Sequence, residues 1–158
     1  MYMHLFGMLG KLCTSNNLPV LPCLCGSMRR ATRALTQLYE RELVPAGLSA
    51  TQMTILQVLS RAGEMRQGTL GEMLAMDSTS LTRTLAIMRR EQWVAERHGA
   101  DRRERLIRLN GRGASKLRQA EPLWARVQSR VHEALGERDW NQLMKLAQRA
   151  TLAAKTRR

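Results

Sequence analysis

Residues 77–103 read DSTSLTRTLAIMRREQWVAERHGADRR, and the rest of the chain can be interpreted outward from this stretch. Three apolar residues in it recur at helical spacing: Leu81, Leu85 and Met88. They form one stripe that can pack on a core. The opposite face carries hydroxyls, arginines and a methyl group, which suits an element lying in the major groove of duplex DNA. Asp77 or Ser78 can cap the helix start, where free amide groups attract a phosphate.

A short basic hairpin follows this helix directly. Residues 93–97 and 104–109 are two short runs that suit β-strands, and the second contains Leu106, Ile107 and Leu109. Between the two runs lies HGADRR, with one glycine and two arginines. Two strands joined by a tip that contains glycine and arginine predict a wing.

We expect DNA contacts from polar side chains on this helix, on the wing and at the start of the preceding helix. The candidates are Thr69, Ser78, Thr79, Ser80, Thr82, Arg83, Arg90, Arg97, Asp101, Arg102, Arg103 and Arg105. The alternative is a solvated polar face and a charge run that Glu96, Asp101 and Glu104 balance. The spacing from Asp101 to Arg103 favours a functional pair, because a carboxylate two residues away can orient a guanidinium bidentately.

This combination of helix and hairpin resembles the MarR family of winged helix-turn-helix transcriptional regulators. The matching residues are Ser80, Leu81, Thr82, Arg83, Met88, Trp93, Val94, Arg97, Asp101, Arg102, Arg103, Leu109, Asn110, Gly111, Arg112 and Gly113. The resemblance extends from about residue 25 to the C-terminus. It implies that Asp101 holds Arg103, which enters the minor groove. One departure is Gln92, which stands where the family usually has glycine, so we expect a different turn at this helix exit.

The charge balance of the whole chain supports a polyanionic partner. Its 158 residues include 26 lysines and arginines against 13 aspartates and glutamates, a net charge of +13 at pH 7. Such a surplus indicates nucleic acid or, less often, an anionic membrane, and a merely soluble basic protein is the plain alternative. The aromatic residues are three Trp, two Tyr and one Phe, too few for base-stacking platforms. Duplex DNA is therefore favoured over RNA.

Two helices are predicted in the N-terminal half. Residues 25–43 carry an amphipathic stripe, and Pro45 and Gly47 end this first helix. Ser49 can cap a second helix, which Gly63 stops.

The next segments predict a helix-turn-helix unit. Residues 65–67 suit a short strand, and residues 70–75 a third helix whose Leu70, Met73 and Leu74 face inward. A tight break at residues 76–77 then separates this short helix from the longer one described above.

After the wing, the pattern predicts two more amphipathic helices. Asn110 can cap a long helix that runs to about residue 135 with a kink at Pro122, and a last helix follows Gly136. Together with the first helix they present more apolar surface than a small winged domain can cover, which predicts a homodimer. The resemblance implies the same arrangement. Because the symmetry of an operator mirrors the symmetry of the dimer that binds it, we expect a pseudo-palindromic operator.

The expected fold class is mainly α with a small β-wing. Residues 23–158 form a single MarR-like domain, with dimerisation helices at 25–44 and 113–155 and a winged helix-turn-helix lobe at 48–109. Residues 1–22 show no sustained periodicity of apolar residues. This predicts a loose, partly disordered arm with at most a helical turn near residues 5–12. No secretory signal or membrane-spanning apolar run is recognised. Three cysteines, an odd number, also fit a reducing, cytoplasmic location.

Cys23 and Cys25 raise a second hypothesis. A thiol at a helix start beside arginines is favoured as the reactive thiolate, the condition for redox sensing. The stretch from Cys25 to Tyr39 resembles the first helix of the organic-hydroperoxide-sensing branch of the family, which implies that Cys25 is oxidised, with Tyr39 as a hydrogen-bonding residue. In this hypothesis Cys23 is the candidate resolving partner. Arg29 departs from that pattern, which has a second tyrosine there. The alternative is that these cysteines are small apolar residues.

No cofactor, metal site or enzymatic activity is expected. The histidines His4, His98 and His132 are scattered, so Cys-x-Cys has no second ligand cluster. The sequence also lacks a phosphate-binding loop and a nucleophile elbow.

The helix, the wing and the basic charge together predict a sequence-specific regulator of duplex DNA, a repressor released by an effector. The resemblance implies a small phenolic or aromatic molecule. The alternatives are a thiol-based sensor of the same fold and an architectural protein that binds DNA by charge alone.

Overall fold

The structure is a computed structural model, and it describes residue 18, residues 20–101 and residues 103–155. The predicted arm falls largely outside the described residues, as does its helical turn, and so does Arg102. The elements in chain order are α1 (Leu24–Leu43), a 3-10 turn (Val44–Ala46), α2 (Ala50–Ala62), β1 (Met65–Arg66), α3 (Gln67–Leu74), α4 (Ser78–Arg90), β2 (Val94–His98), β3 (Arg105–Leu109) and α5 (Gly111–Lys155). The chain divides into two compact units between residues 37 and 38, within α1. The predicted class, mainly α with a small β-wing, is confirmed.

The predicted caps around α2 are confirmed. α1 ends before a 3-10 turn that contains Pro45, and Gly47 closes the turn at φ +60°, a conformation that favours glycine. The Ser49 hydroxyl accepts from the Gln52 backbone N–H at 3.2 Å, and the Gln52 side chain accepts from the Ser49 N–H at 2.9 Å. This reciprocal capping box fixes the start of α2, and Gly63 ends it.

The helix-turn-helix unit begins earlier than predicted. β1 contains only Met65–Arg66, and α3 starts at Gln67 instead of residue 70. Arg66 is the last residue with extended dihedral angles, and it is also the N-cap of α3. α3 ends at Leu74, the following Ala75 adopts φ +50°, and the Met76 N–H donates to the Gly71 carbonyl at 3.0 Å. This hydrogen bond from the second residue past the helix end back to its last turn makes the tight break before α4.

The prediction that Met73 faces inward is wrong, because its side chain is 57% exposed. Leu70 is fully buried, and the inward face of α3 continues through Gly71. A Cβ atom on Gly71 would lie 3.3 Å from Leu81 Cδ2. α4 therefore packs on the side of α3 where the glycine allows close approach, and Met73 lies away from it.

The wing is the outer part of a three-stranded antiparallel sheet with strand order β1-β3-β2. β2 pairs with β3 from Val94 opposite Leu109 to His98 opposite Arg105. β1 adds a short third strand, with Met65 opposite Ile107. The predicted hairpin is confirmed, and β1 joins it to the helix-turn-helix unit.

One hydrophobic core connects the helices of the lobe to the sheet. The predicted stripe of α4 lies in it, with Leu81, Leu85 and Met88 at most 2% exposed. The other fully buried large side chains of this cluster are Leu43, Met53, Ile55, Leu56, Leu59, Leu70 and Ile107. The buried stripe of α4 fixes which of its faces points to solvent.

α5 is broken where the sequence predicted a new helix. Gly136 adopts φ +75° and ψ 159°, while Pro122 lies inside the helix without a comparable change of dihedral angles. We call residues 137–155 the distal segment. Its large apolar residues are exposed by 38–59%: Leu143, Met144, Leu146 and Leu152. The first part of α5 packs on the lobe through Ala120 and its neighbours, whereas the distal segment leaves its apolar face open.

No single helix of the described residues is long and apolar enough to cross a membrane; only one bent pair, Leu24–Ala46 joined to Ala50–Ala62, reaches the length and composition required.

Candidate nucleic-acid interface

The start of α4 combines a fixed cap with exposed hydroxyls. Asp77 lies in extended conformation before the helix, and its Oδ1 accepts from the Ser80 backbone N–H at 2.9 Å. Hydrogen bonding, chiefly from this backbone N–H of Ser80, lowers the pKa of the Asp77 carboxyl. Ser78 and Thr79 are exposed beside it. The cap predicted at Asp77 or Ser78 is therefore Asp77, and it leaves the hydroxyls free to meet a ligand.

The outer face of α4 is mainly polar. Its exposed residues are Ser78, Thr79, Ser80, Thr82, Arg83, Ala86, Ile87 and Arg90. Arg90 Nε lies 3.5 Å from Glu91 Oε1. Among the described residues, no carboxylate lies within ion-pair distance of Arg83. Ile87, 42% exposed, was not among the predicted contacts. The face holds six of the predicted residues together on one surface.

The exit of α4 uses a glycine-type turn although no glycine is present. Gln92 adopts φ +58°. Its N–H donates to the Arg89 carbonyl at 2.9 Å, and the Trp93 N–H donates to the Met88 carbonyl at 2.8 Å. This pair of hydrogen bonds is a Schellman motif, in which the left-handed residue is usually glycine. The expectation of a turn different from the usual glycine turn is therefore wrong. Gln92 itself takes the left-handed conformation, which directs Trp93 into the core.

Arg97, a predicted DNA contact, anchors the wing to the loop before β1. Its Nε donates to Glu64 Oε2 at 2.9 Å, and its Nη2 donates to Glu64 Oε1. The hydrogen bond lowers the pKa of Glu64 and raises the pKa of Arg97. Such a two-point pair orients a guanidinium more strictly than one contact does. The geometry gives Arg97 a structural partner within the chain.

Three further ion pairs hold the wing in place. Glu96 contacts Arg89 of α4 and lies 3.3 Å from Arg105 of β3. Arg66, at the end of β1, lies 2.9 Å from Glu104 at the wing tip. Arg105 is thus both a predicted DNA contact and a partner of Glu96, the carboxylate that also pairs with Arg89 of α4.

Backbone hydrogen bonds shape the tip of the wing. The Asp101 carboxylate accepts from the backbone N–H of Arg103 at 2.8 Å, and the Asp101 carbonyl accepts from the Glu104 N–H at 2.9 Å. The Gly99 N–H donates to the Glu104 carbonyl at 2.9 Å. The resemblance implied that Asp101 holds Arg103, and the contact seen here is with the backbone of that residue. The turn projects the tip beyond the paired strands.

A groove of about 820 Å³ lies between α3, the start of α4 and the wing. It brings together four predicted contacts: Thr69, Ser78, Arg103 and Arg105. Arg66, Gln67 and Lys155 also line it, although sequence reasoning did not select them. Lys155 lies at the end of α5, and its Nζ donates to the Glu72 carbonyl. No local signal could have placed a residue of the C-terminal helix beside α3.

The predicted redox residues lie on and before α1. Cys23 and Cys25 are both exposed, Cys23 before the helix and Cys25 in its first turn. The Tyr39 hydroxyl donates to Gln128 Oε1 at 2.8 Å, and burial raises the pKa of this tyrosine. Among the described residues, no group of three or more histidine, cysteine and carboxylate side chains lies close enough to hold a metal ion.

A short helix, a tight turn, a longer helix with an exposed polar face and an adjoining wing define a winged helix-turn-helix protein. The MarR family profile matches residues 46–104. The M. tuberculosis transcriptional regulator MosR, solved in complex with DNA, is 37% identical and superposes with a TM-score of 0.77, covering 84% of this chain and 96% of that one. The chain belongs to the MarR family.

Two further relatives agree with this assignment. YwoH of Bacillus subtilis (strain 168), an uncharacterised HTH-type transcriptional regulator, is 27% identical over 96 residues, which are 61% of this chain and 70% of that protein. A mutant of MarR from E. coli, complexed with operator DNA, has a TM-score of 0.72 at 22% identity and covers 80% of this chain and 92% of that one. At this level of identity the second likeness concerns the fold.

Proposed function

We propose that this chain is a sequence-specific transcriptional regulator of duplex DNA, acting as a repressor. The observation that carries the proposal is the outer face of α4, which is mainly polar and stands beside a basic wing. Ser78 to Arg90 of this helix would lie in the major groove, where hydroxyls and arginine reach phosphates and base edges. The net charge of +13 favours association with a polyanion. MosR, the 37% identical relative, was solved with DNA.

Arg103 is the wing residue that we assign to the minor groove. It lies within the turn that Asp101 caps, and among the described residues no carboxylate pairs with its guanidinium. Arg97 and Arg105, by contrast, have carboxylate partners within the chain. An arginine that is positioned by its backbone and has no internal partner can give its charge to the DNA.

The functional unit would be a homodimer formed through α1 and α5. The distal segment exposes four large apolar side chains in the part of the chain that the structure describes. Burying such a face against a second copy is the usual solution for a helix of this kind. A two-fold dimer would then bind a pseudo-palindromic operator whose half-sites lie about 34–36 Å apart.

Release from DNA would follow from binding of a small phenolic or aromatic effector near the junction of α1 and α5. A cavity of about 240 Å³ lies there, lined by Leu38, Glu42, Arg126, Val127 and Arg130. Apolar side chains would contact a ring, and the arginines would attract a phenolate or carboxylate. Binding at this junction could change the separation of the two α4 helices and so shift the population away from the DNA-competent state.

The test begins with selection of duplexes by the wild-type protein from a random-sequence pool, followed by affinity measurements at two salt concentrations. A selected sequence bound far more tightly than a scrambled duplex of the same composition is the expected result. Equal affinity for both, lost steeply with salt, would identify an architectural protein that binds by charge. Addition of salicylate, a simple phenolic acid, to the complex then tests effector release.

A second candidate function, thiol-based sensing, is favoured by the exposure of Cys23 and Cys25 on either side of the start of α1. An organic hydroperoxide would oxidise Cys25 to the sulfenic acid and leave as the alcohol. The Cys23 thiol would then displace water from that sulfur to form a disulfide. Release of the selected duplex on oxidation, abolished by Cys25→Ser and reversed by a dithiol, is the expected result. Retention of DNA by the oxidised protein would remove this candidate.

A further inference from the structure

A side-chain hydrogen bond joins the solvent face of α4 to the start of α3. The Gln67 amide Nε2 donates to Thr82 Oγ1 at 3.0 Å. Gln67 is the first residue of α3, and Thr82 follows the buried Leu81 by one position. One residue corresponds to about 100° around a helix. Thr82 therefore lies on the flank of α4, between the buried stripe and the outward-pointing Arg83.

Three other helical threonines show how a hydroxyl proton is used when no such partner is present. The hydroxyls of Thr54, Thr84 and Thr151 donate to the carbonyl oxygen four residues earlier, at 3.0, 2.9 and 2.9 Å. A hydroxyl has one proton to donate and two lone pairs that accept. These three protons are therefore used within their own helices. The Thr82 oxygen accepts from Gln67, and no acceptor for its own proton is found among the described residues, so that proton can serve an acceptor outside the chain.

We propose that Gln67 is a positioning residue for DNA binding, which directs the Thr82 hydroxyl proton to a phosphate oxygen of the duplex. This inference rests on the proposed function, because it requires α4 to lie in the major groove. The outermost residues of such a helix face base edges, and its flank faces the phosphates at the groove wall. A hydroxyl that accepts one hydrogen bond is also a stronger donor in the next, because linked hydrogen bonds polarise one another.

The experiment uses the duplex selected by the wild-type protein and a scrambled duplex of the same composition, with affinities measured by fluorescence anisotropy. Thr82→Val removes the hydroxyl and keeps the side-chain shape. We expect binding about fivefold weaker, the usual scale of one neutral hydrogen bond. The loss should be equal for both duplexes, because a phosphate contact carries no sequence information. The salt dependence should stay unchanged, because no cation is lost.

A double-mutant cycle tests whether Gln67 acts through Thr82. Gln67→Leu should weaken binding about threefold in the wild-type background, a fraction of one neutral hydrogen bond, and should have no further effect in the Thr82→Val background. Thr82→Ser keeps the hydroxyl and should retain the affinity, so it keeps the test decisive if Thr82→Val fails to fold. Thr84→Val is the matched control, because the Thr84 proton already serves the Ser80 carbonyl. It should bind both duplexes as the wild type does.

Two results would overturn the inference. An equal loss from Gln67→Leu in both backgrounds would mean that Gln67 acts independently of Thr82. A Thr82→Val loss confined to the selected duplex would assign the hydroxyl to a base edge. If the wild-type protein selects no duplex at all, the proposed function fails and this inference fails with it. Selection without coupling removes this inference alone.

Discussion

The winged lobe and the distal segment of α5 contain the same kinds of apolar residue in opposite environments. In the lobe, Leu56, Leu70 and Leu85 are at most 1% exposed, because helices and the sheet surround them. In the distal segment, Leu146 and Leu152 are 44% and 59% exposed. Full burial of such a side chain stabilises by roughly 1.5–3 kcal/mol. The lobe gains this stabilisation within one chain, whereas the distal segment can gain it only against another surface.

The largest expected effect breaks the lobe from inside. Leu85→Ala removes a buried side chain at the centre of the core, and we expect it to lower the free energy of unfolding by about 2–5 kcal/mol. Urea denaturation measures this loss, which should not depend on protein concentration. Ile87→Ala, on the exposed face of the same helix, is the matched control and should cost less than about 1 kcal/mol. Similar losses in both variants would contradict the burial described for α4.

The second prediction breaks the distal segment. Leu143→Asp places a charge on the apolar face that we assign to the dimer, and we expect the variant to be monomeric in sedimentation experiments because a buried, unpaired carboxylate is strongly disfavoured. Gln142→Asp adds the same charge on the neighbouring side of the helix and should remain dimeric. A dimeric Leu143→Asp variant would move the interface elsewhere.

The third prediction changes function and leaves both regions folded. Arg103→Ala should weaken binding to the selected duplex about ten- to hundredfold, the range for loss of one good arginine contact to DNA, with an unchanged melting temperature and an unchanged dimer. Arg118→Ala removes the same charge from α5, where Arg118 donates to Ser115, and should have little effect. Wild-type affinity in the Arg103→Ala variant would exclude the wing from the interface.

The fourth prediction compares the same type of substitution, glutamine to glycine, in the two regions. We expect it to raise the stability of the lobe and to lower that of the distal segment. Gln92→Gly relieves the left-handed backbone at the exit of α4 and should stabilise the lobe by about 1 kcal/mol. Gln142→Gly introduces glycine into a regular helix of the distal segment and should destabilise by about 1 kcal/mol. Thermal unfolding of both variants tests this contrast, and destabilisation by Gln92→Gly would contradict the strain assigned to that turn.

The smallest effect is the pH dependence of the α4 cap. The pKa of Asp77 is lowered in the folded protein from the ordinary 3.8, because the carboxylate accepts hydrogen bonds from Ser80. Its contribution to stability is therefore present above pH 3.8 and is lost as the pH falls through the lower, folded-state pKa. Asp77→Asn keeps a cap that does not titrate, so its melting temperature should fall less between pH 5 and about pH 2.5. An identical fall in both proteins would contradict the linkage.

The sequence by itself determined the elements that depend on near neighbours. Ser49 and Asp77 were recognisable as caps, Gly63 and Gly136 as helix ends, because these features use residues only a few positions apart. The stripe of α4 and the hairpin of the wing followed from periodicity in the same way. The polar residues on the exposed face of α4 were therefore predicted, whereas the exposed Ile87 was not.

Only the tertiary structure decided how those elements are fastened together. Arg97 pairs with Glu64, 33 positions away, and Gln67 donates to Thr82, 15 positions away. Neither partner has a local signal, because each depends on how β1 and α3 pack against the wing and α4. Gln92 likewise takes a left-handed turn against its own preference, because Trp93 must enter the core. Long-range packing outweighs local propensity at such positions, and for that reason the chain alone does not reveal them.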